Sequence, residues 1–376
     1  MKIVAIPDSF KGSLSAARVA AVLKKAADEC FDEADFLSLP MADGGEGTLD
    51  ALHRALGGTF FSHEVTGACG QPVRARYLSV GPTAYVEFAE AAGLSKRLPG
   101  FNAANTTSLG VGQIMARAIE AGHRHIVVAL GGSVTNDCGA GMAAALGVRF
   151  EAADGQRFLP VGKTLSAVKS IRLNPLFFVE QGVRIEALCD VTNPLYGPDG
   201  AARVFASQKG ASEEEIEELE AGAKTIDMIF RSAKGPKLNT IPGTGAAGGA
   251  GAGVIAFLNG RLGSGTDTML SLMNIDELLR DADLIVTGEG RVDAQTTGGK
   301  LVAGVAAAAK RAGGKTVVVL TGEADGDLDA LYDAGVTAVF PIARRAETKD
   351  EAMAGAAGNL LATAKDVFRL VGAMKA

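Results

Sequence analysis

The stretch Asp283–Lys300, with the sequence DLIVTGEGRVDAQTTGGK, decides the fold that we predict for this chain. Its apolar run Leu284-Ile285-Val286 is typical of a buried parallel strand. The chain then passes through Gly288 and Gly290, where glycine permits a sharp turn and the close approach of a ligand. A strand that ends in a glycine turn and leads into a helix forms the usual ligand crevice of an open α/β sheet.

The polar residues of the same stretch indicate a binding loop. A helix is predicted from about residue 301 to 310, and its unpaired N-terminal amides favour anions. A plain strand–helix turn rarely needs acids and cations so near two glycines, and loops commonly carry function. The candidate ligand-binding groups are Glu289, Arg291, Asp293, Gln295 and Lys300.

Composition limits the class of protein. A length of 376 residues predicts about two domains, and 47% hydrophobic residues are enough for sizeable cores. The net charge is −6 and the basic residues form no block, which excludes nucleic acid as the expected partner. The cysteines at 30, 69, 138 and 189 form no CxxC pair, so reduced thiols are expected rather than a zinc site or disulfides.

No segment of the sequence is typical of a membrane or export signal. The apolar run before Pro7 is too short for a signal peptide. No window approaches 18 uninterrupted apolar residues, as a transmembrane helix would require. We therefore expect a soluble, cytoplasmic protein without a membrane partner.

The first two predicted strands repeat the pattern of the opening stretch. Strand 2–6 leads into Asp8, Ser9 and Lys11, and a helix over 16–29 follows with Ser15 as its N-cap. Strand 35–39 leads into a second polar glycine loop before a helix over 48–56. In that loop, backbone amides suit phosphate and a carboxylate suits a metal or a hydroxyl. Its candidates are Asp43, Gly44, Gly45 and Glu46.

The middle of the chain has a different texture, with short alternating strands over 74–80 and 84–88. A helix is predicted over 105–121, capped by Thr106 or Thr107. Strand 126–130 ends in GGSVTNDCG, which we interpret as a further binding loop with the candidates Gly132, Ser133, Thr135, Asn136 and Asp137. Strand 184–188 leads to Asp190 and Asn193, which suit a metal or a polar substrate, although Asn-Pro equally suits a simple turn.

The segment PGTGAAGGAGAG at 242–253 matches the G-x-G-x-x-G pattern through Gly243, Gly245 and Gly248. No hydrophobic strand precedes it, so an NAD site of the Rossmann type is not favoured. A phosphate-binding loop at Gly243 and Gly245 and close packing of small residues both stay open.

Strand–helix alternation returns after residue 280 and resembles the first 60 residues. The simplest architecture is an α/β protein in which both chain ends form one flavodoxin- or Rossmann-like parallel-sheet domain (1–65 and 275–376). A second α/β domain (66–274) is inserted, with the active site in the cleft between them.

The candidate residues suit phosphoryl transfer. The sequence has no G-x-S-x-G, no Walker A lysine motif and no Cys/His pair for nucleophilic catalysis. Acids, two cations and glycine loops are what Mg²⁺-dependent phosphoryl transfer requires, since the protein must position phosphates, a metal and an alcohol. The metal candidates are Asp43, Asp190 and Glu289.

Six motifs together resemble the bacterial glycerate kinase family across nearly the whole chain. They are DSFKGS (8–13), MADGGEGT (41–48), GGSVTNDCGAG (131–141), CDVTNPLYGP (189–198), PGTGAAGGAG (242–251) and TGEGRVDAQTTGGK (287–300). The resemblance implies ATP-dependent phosphorylation of D-glycerate, usually to 2-phosphoglycerate, with Mg²⁺ and a two-domain α/β build. The polar segment after Pro341 departs from the family pattern but contains no motif.

Within these motifs we assign roles as hypotheses. Asp293 is the base that takes the hydroxyl proton, and Arg291 binds the substrate carboxylate or the transferring phosphate. Lys11 and Ser9 contact phosphate.

Five questions stay open. A 3-phosphate product or a related sugar acid would keep the kinase chemistry. An NAD-dependent oxidoreductase would use the segment at Gly243, and a sugar-acid sensor would bind without turnover. A homodimer is compatible with the sequence.

Overall fold

In the computed structural model, residues 1–10, 12–41, 47–173, 182–293 and 301–375 are described. Within them the chain divides into two compact units. The first unit comprises Met1–Asp43 and Thr266–Ala376, and the second comprises Gly44–Gly265.

The strands, in chain order, are β1 (Lys2–Pro7), β2 (Asp35–Ser38), β3 (Thr59–Thr66), β4 (Pro72–Val80), β5 (Thr83–Glu87), β6 (His125–Ala129), β7 (Arg149–Glu151), β8 (Arg157–Phe158), β9 (Ser170–Arg172), β10 (Arg184–Leu188), β11 (Arg261–Gly263), β12 (Leu284–Gly288), β13 (Arg291–Val292), β14 (Val317–Thr321), β15 (Glu323–Ala324) and β16 (Ala338–Pro341).

The α-helices are α1 (Ala16–Cys30), α2 (Thr48–Leu56), α3 (Phe88–Ala92), α4 (Leu109–Glu120), α5 (Ala140–Ala145), α6 (Ala201–Phe205), α7 (Glu213–Ser232), α8 (Ala246–Leu258), α9 (Gly265–Leu272), α10 (Ile275–Arg280), α11 (Leu301–Arg311), α12 (Asp329–Ala334) and α13 (Lys349–Lys375).

The first unit is built on a five-stranded parallel sheet with the order β16-β14-β12-β1-β2. Its central strands are apolar and almost fully buried, as expected for a parallel sheet covered on both faces. Helices α1 and α13 pack together on this sheet, and the rings of Phe31 and Phe368 lie 6.0 Å apart. The predicted α/β class with a parallel sheet from both chain ends is therefore confirmed.

The winding of this sheet reverses between β1 and β12. From β1 the chain proceeds to β2 on one side, while β12, β14 and β16 continue on the other side. The two strands are in register, with Ile3 opposite Leu284 and Pro7 opposite Gly288. Loops at such a reversal diverge and leave a crevice at the carboxyl ends of the strands.

The second unit contains a six-stranded sheet with the order β11-β10-β6-β5-β4-β3 and a small sheet with the order β8-β7-β9. Strands β5, β6, β10 and β11 are parallel, whereas β3, β4 and β5 run antiparallel. The register places Glu87 opposite Ala129, and Ala129 opposite Leu188. The loops that follow β5, β6 and β10 therefore leave from one edge of the sheet.

The boundaries of the units differ from the domain boundaries that we predicted, 1–65 and 275–376 against 66–274. Strand β3 pairs along its whole length with β4, and helix α2 is tied to the end of β5. Both elements therefore cluster with the second unit. The predicted site between the domains stays a prediction.

One predicted helix start was wrong. Helix α4 begins at Leu109 rather than at residue 105, and Ser108 is its N-cap. The hydroxyls of the preceding residues are used elsewhere, since Thr106 donates to the carbonyl of Asn102 and Ser108 donates to Asp137. By contrast, α1 begins at Ala16 with the predicted cap, because the Ser15 hydroxyl accepts the amide of Arg18.

Two expectations about the whole chain can be compared with the structure. No helix in the described part of the chain is long and apolar enough to cross a membrane. All four cysteines lie in that part and none forms a disulfide, and Cys138 and Cys189 are buried.

Candidate functional site

The adjacent carboxyl ends of β1 and β12 bring together two of the predicted loops. The amide of Asp8 donates to the carbonyl of Gly288 over 2.9 Å. The amide of Ser9 donates in turn to the Asp8 carboxylate, which is buried. Gly288 admits no side chain, because a Cβ there would lie 1.8 Å from the carbonyl oxygen of Leu320. A backbone hydrogen bond thus holds the polar ends of the two strands together.

Arg291 is surrounded by carboxylates. Its guanidinium lies 2.8 Å from Asp325, 3.4 Å from Asp293 and 4.0 Å from Glu323. Strand β13 pairs with β15, which brings the ends of β12 and β14 side by side. Arg291 therefore links the predicted base to acids from a neighbouring loop, while its side chain stays half exposed.

We did not predict the two acids from the loop after β14. The sequence contains a signal for them, because β14 ends in Thr321-Gly322-Glu323 as β12 ends in Thr287-Gly288-Glu289. The repeated Thr-Gly-Glu marks two neighbouring strand ends. Which strands are neighbours, however, depends on the sheet order.

Several predicted site residues lie outside the described residues, and the predictions about them stay predictions. They are Lys11, Asp43, Gly44, Gly45, Glu46, Gln295 and Lys300.

In the second unit, the loop after β6 is organised by Asp137, which is fully buried. Its carboxylate accepts four hydrogen bonds at 2.8–3.2 Å, from the amide and hydroxyl of Ser108 and from the amides of Gly139 and Gly141. Burial raises the pKa of Asp137, and these donors oppose that change. The contacts assign Asp137 to holding the loop in shape.

Two further predicted residues of this loop have unsatisfied atoms. The hydroxyl oxygen of Thr135 and the side-chain oxygen of Asn136 are buried, and no hydrogen-bond partner for either lies in the described part of the chain. Such atoms are rare in folded proteins and call for a ligand, a water molecule or a functional explanation.

Lys209 was missed by the sequence analysis. Its ammonium donates to the Ser133 hydroxyl and to the Thr135 carbonyl, each over 2.9 Å. Burial lowers the pKa of Lys209 to about 7, and the nearby Asp137 carboxylate opposes the shift. No motif contains this lysine, and its partners lie more than 70 residues away in sequence, so no local signal was available.

Glu87 at the end of β5 was missed as well. It is 5% exposed and accepts the amides of Gly47 and Leu49 at the start of α2, each over 3.1 Å. Burial raises its pKa to about 7. The sequence signal was weak, a single acid at the end of an apolar strand, because the helix that it caps is brought in by the fold.

The two predicted residues of the loop after β10 make different contacts. Asp190 accepts the hydroxyl of Ser264 over 3.0 Å, at the same sheet edge as the loop after β6. The side-chain amide of Asn193 donates to the carbonyl of Asp199 over 2.8 Å, within the loop that follows β10. Both interpretations of Asn193, a turn and a ligand-binding residue, stay open.

The glycine-rich segment at 242–253 is packed closely against two loops. A Cβ at Gly245 would lie 2.3 Å from the carbonyl oxygen of Pro194, and one at Gly248 would lie 2.0 Å from that of Thr135. Close packing accounts for these glycines, so they need no ligand to explain them. Phosphate binding at Gly243 and Gly245 stays a prediction.

The predicted metal site is not tested by the described residues and stays a prediction. No group of three or more His, Cys, Asp or Glu side chains within 1–10, 12–41, 47–173, 182–293 and 301–375 is placed to hold an ion. Asp43 lies outside these ranges. Asp190 belongs to the second unit and Glu289 to the first.

Comparison with known proteins places the chain in one family. The model of the glycerate kinase family matches residues 3–372. The chain is 39% identical over 374 residues to the glycerate 2-kinase of Escherichia coli (strain K12), with 98% of this chain and 97% of that protein covered. The glycerate kinase of Bacillus subtilis (strain 168) gives the same identity over the same length and coverage.

A solved structure agrees with the sequence comparison. The crystal structure of putative glycerate kinase 2 from Salmonella typhimurium LT2 superposes with a TM-score of 0.79 and 39% identity, covering 100% of this chain and 99% of that one. The chain therefore belongs to the glycerate kinase family and is a phosphotransferase.

Proposed function

We propose that this protein transfers a phosphoryl group from ATP to the 2-hydroxyl of D-glycerate, giving 2-phosphoglycerate. The observation that carries the proposal is the pair of adjacent strand ends of β1 and β12, where Asp8 meets Gly288 and the polar loop to Asp293 begins. The name glycerate 2-kinase of the Escherichia coli relative supports the position of the phosphate.

The residues at these strand ends suit an alcohol acceptor and a phosphoryl donor. The Asp293 carboxylate takes the hydroxyl proton, and the neighbouring Arg291 guanidinium keeps that carboxylate oriented at 3.4 Å. Arg291 is half exposed and its fork fits a carboxylate or a phosphate. Asp8 and Ser9 lie at the adjacent strand end, where Ser9 contacts phosphate.

The donor set fits Mg²⁺. Asp43, Asp190 and Glu289 offer carboxylate oxygens, which are the ligands that Mg²⁺ prefers, and Ser264 adds a hydroxyl beside Asp190. When bound, the ion would offset negative charge on the phosphates. The three carboxylates stay candidate ligands for the ion.

The test is to supply MgATP and D-glycerate, measure ADP release, and give the product to enolase alone. We expect ADP followed by phosphoenolpyruvate, because enolase accepts the 2-phosphate directly. ADP without phosphoenolpyruvate would move the phosphate to the 3-hydroxyl. A folded protein that releases no ADP from any sugar acid would contradict the kinase proposal.

An NAD-dependent oxidoreductase and a sugar-acid sensor are less well supported than a kinase. The segment before Gly243 is a 3₁₀ turn, Leu238–Thr240, and not the strand that a dinucleotide site requires. A sugar-acid sensor would bind glycerate without releasing ADP, so the same assay separates it. A cytoplasmic location and a homodimer stay predictions, with small molecules as the proposed partners.

A further inference from the structure

Lys209 holds the loop after β6 at two points. This loop, residues 131–139, is called the β6 loop below. Lys209 ends the 3₁₀ turn Ser207–Lys209, and its side chain is 4% exposed. The ammonium donates to the hydroxyl of Ser133 and to the carbonyl of Thr135. One buried cation therefore fixes a side chain and a backbone carbonyl two residues apart.

Burying the ammonium group of Lys209 costs free energy that an apolar side chain would not. Removing a charge from water is unfavourable, and an apolar side chain of similar size avoids that cost. Within the described chain, Lys209 forms no ion pair, so the cost is offset mainly by its two hydrogen bonds and by the field of Asp137. The hydrogen bonds that the ammonium donates to the β6 loop therefore explain a lysine at this position better than packing does.

The β6 loop is also held at its other points. The carboxylate of Asp137 fixes its second half through the four donors described above. The amide of Leu94 donates to the carbonyl of Gly132, and the amide of Cys138 donates to the carbonyl of Gly248. Together these contacts make the loop rigid.

Rigidity is combined with unsatisfied polar atoms in this loop. The Thr135 hydroxyl and the Asn136 side-chain oxygen lie between the Lys209 contacts and Asp137, buried and without a partner in the described residues. A site that is fixed before its ligand arrives gains affinity and rate, because the ordering has already taken place.

We propose that Lys209 is a positioning residue, whose buried ammonium holds Thr135 and Asn136 of the β6 loop in the arrangement that binds the substrates. This inference rests on the proposed kinase function, which it extends by one residue. Lys209 acts through the loop and does not touch the reacting groups.

The test compares Lys209→Met with Glu151→Gln in the full-length protein. Methionine is unbranched and only one atom shorter than lysine, but it cannot donate a hydrogen bond. Glu151 is 8% exposed and accepts hydrogen bonds from Ser170 and Arg172 in the small sheet, so its variant reports the loss of contacts that do not involve the β6 loop. The measurements are hydrogen exchange of residues 131–141, the melting temperature, and kcat and KM with MgATP and D-glycerate.

For Lys209→Met we expect faster exchange in the β6 loop and kcat/KM lower by about 100-fold, since a small misplacement of binding groups costs this much. Glu151→Gln should lower the melting temperature without changing exchange in that loop or kcat/KM. If Lys209→Met does not fold, Ser133→Ala takes its place; it removes one acceptor and should give a smaller increase in exchange.

The outcomes separate the two proposals. A wild-type protein that releases no ADP contradicts the kinase function, while hydrogen exchange still tests the role of Lys209. An active wild type with unchanged loop exchange in the variant overturns the role of Lys209. The role of Lys209 is overturned as well if Lys209→Met has a lower melting temperature but an unchanged kcat/KM, which is the pattern expected of Glu151→Gln.

Discussion

Asp293 is the single residue on which the proposed chemistry depends most. Its carboxylate lies 3.4 Å from Arg291 and is partly exposed at the end of β13. Asp293→Asn keeps the size of the side chain but cannot accept the hydroxyl proton. We expect kcat to fall by about 10²–10⁴-fold, the usual contribution of a general base, in steady-state assays of ADP release.

The control for this variant is Asp333→Asn, an exposed aspartate on α12 in the same unit. Both proteins should give the far-UV circular dichroism of the wild type. An Asp293→Asn enzyme with near-normal kcat would remove Asp293 as the base.

We expect Glu87 to make the stability of the protein depend on pH. Its pKa rises from 4.5 to about 7 on folding, so between these values the folded protein binds more protons than the unfolded chain. Its contribution to stability is therefore present below about pH 4.5 and is lost as the pH rises through 7. A shift of this size corresponds to at most about 3 kcal/mol.

We expect Glu87→Gln to remove this pH dependence. When the pH rises from 5 to 8, the variant should lose less stability than the wild type does, as measured by urea unfolding at both pH values. Glu64→Gln, at an exposed position of β3, should leave the difference between the two pH values unchanged. A wild-type difference that persists in Glu87→Gln would contradict the assignment.

At the scale of elements, helix α8 depends on backbone contacts that its glycines allow. Residues 247–249 have positive φ inside this helix, and a Cβ at Gly248 would lie 2.0 Å from the Thr135 carbonyl oxygen of the β6 loop. Alanine at Gly248 would meet both the cost of a left-handed residue, about 1–2 kcal/mol, and that of a clash, about 1–3 kcal/mol.

Gly248→Ala should therefore destabilise the protein by about 3 kcal/mol, measured by urea unfolding. Gly155→Ala is the matched control, because Gly155 also has positive φ but a Cβ there would meet nothing within 4 Å. Gly155→Ala should lose only the stability that a left-handed residue costs, about 1–2 kcal/mol. Equal losses in the two variants would show that the contact with the β6 loop carries no energy.

Elements with strong local signals were predicted well. Strand β10 and helix α2 have the predicted bounds, and α1 differs by one residue. Helix α4 was predicted too early, because the hydroxyl of Thr106, one of the two predicted caps, bonds the carbonyl of Asn102 and Ser108 takes the N-cap position. A cap signal is local, so it cannot report that a hydroxyl has a better partner elsewhere.

At the scale of the molecule, the two units differ in how the chain builds them. The second unit is one continuous segment with its own six-stranded sheet and core. The first unit needs both chain ends, because β1 is hydrogen-bonded between β2 and β12. Independent folding is therefore expected of the second unit and not of the N-terminal segment alone.

A fragment of residues 47–265 should fold by itself and unfold cooperatively, as followed by circular dichroism and limited proteolysis. A fragment of residues 1–41 should stay unfolded, because three of the five strands of its sheet are missing. A disordered 47–265 fragment would mean that the core of the second unit depends on the rest of the chain.

The sequence by itself determined the fold class, most strands and helices, the family motifs and the loops at the strand ends. These follow from hydrophobic periodicity, glycine and local charge, which are properties of neighbouring residues. Only the tertiary structure decided that Asp8 meets Gly288, that Glu323 and Asp325 face Arg291, and that Lys209 and Glu87 are buried at loops. Those contacts join residues far apart in sequence, and their pairing depends on sheet order and register.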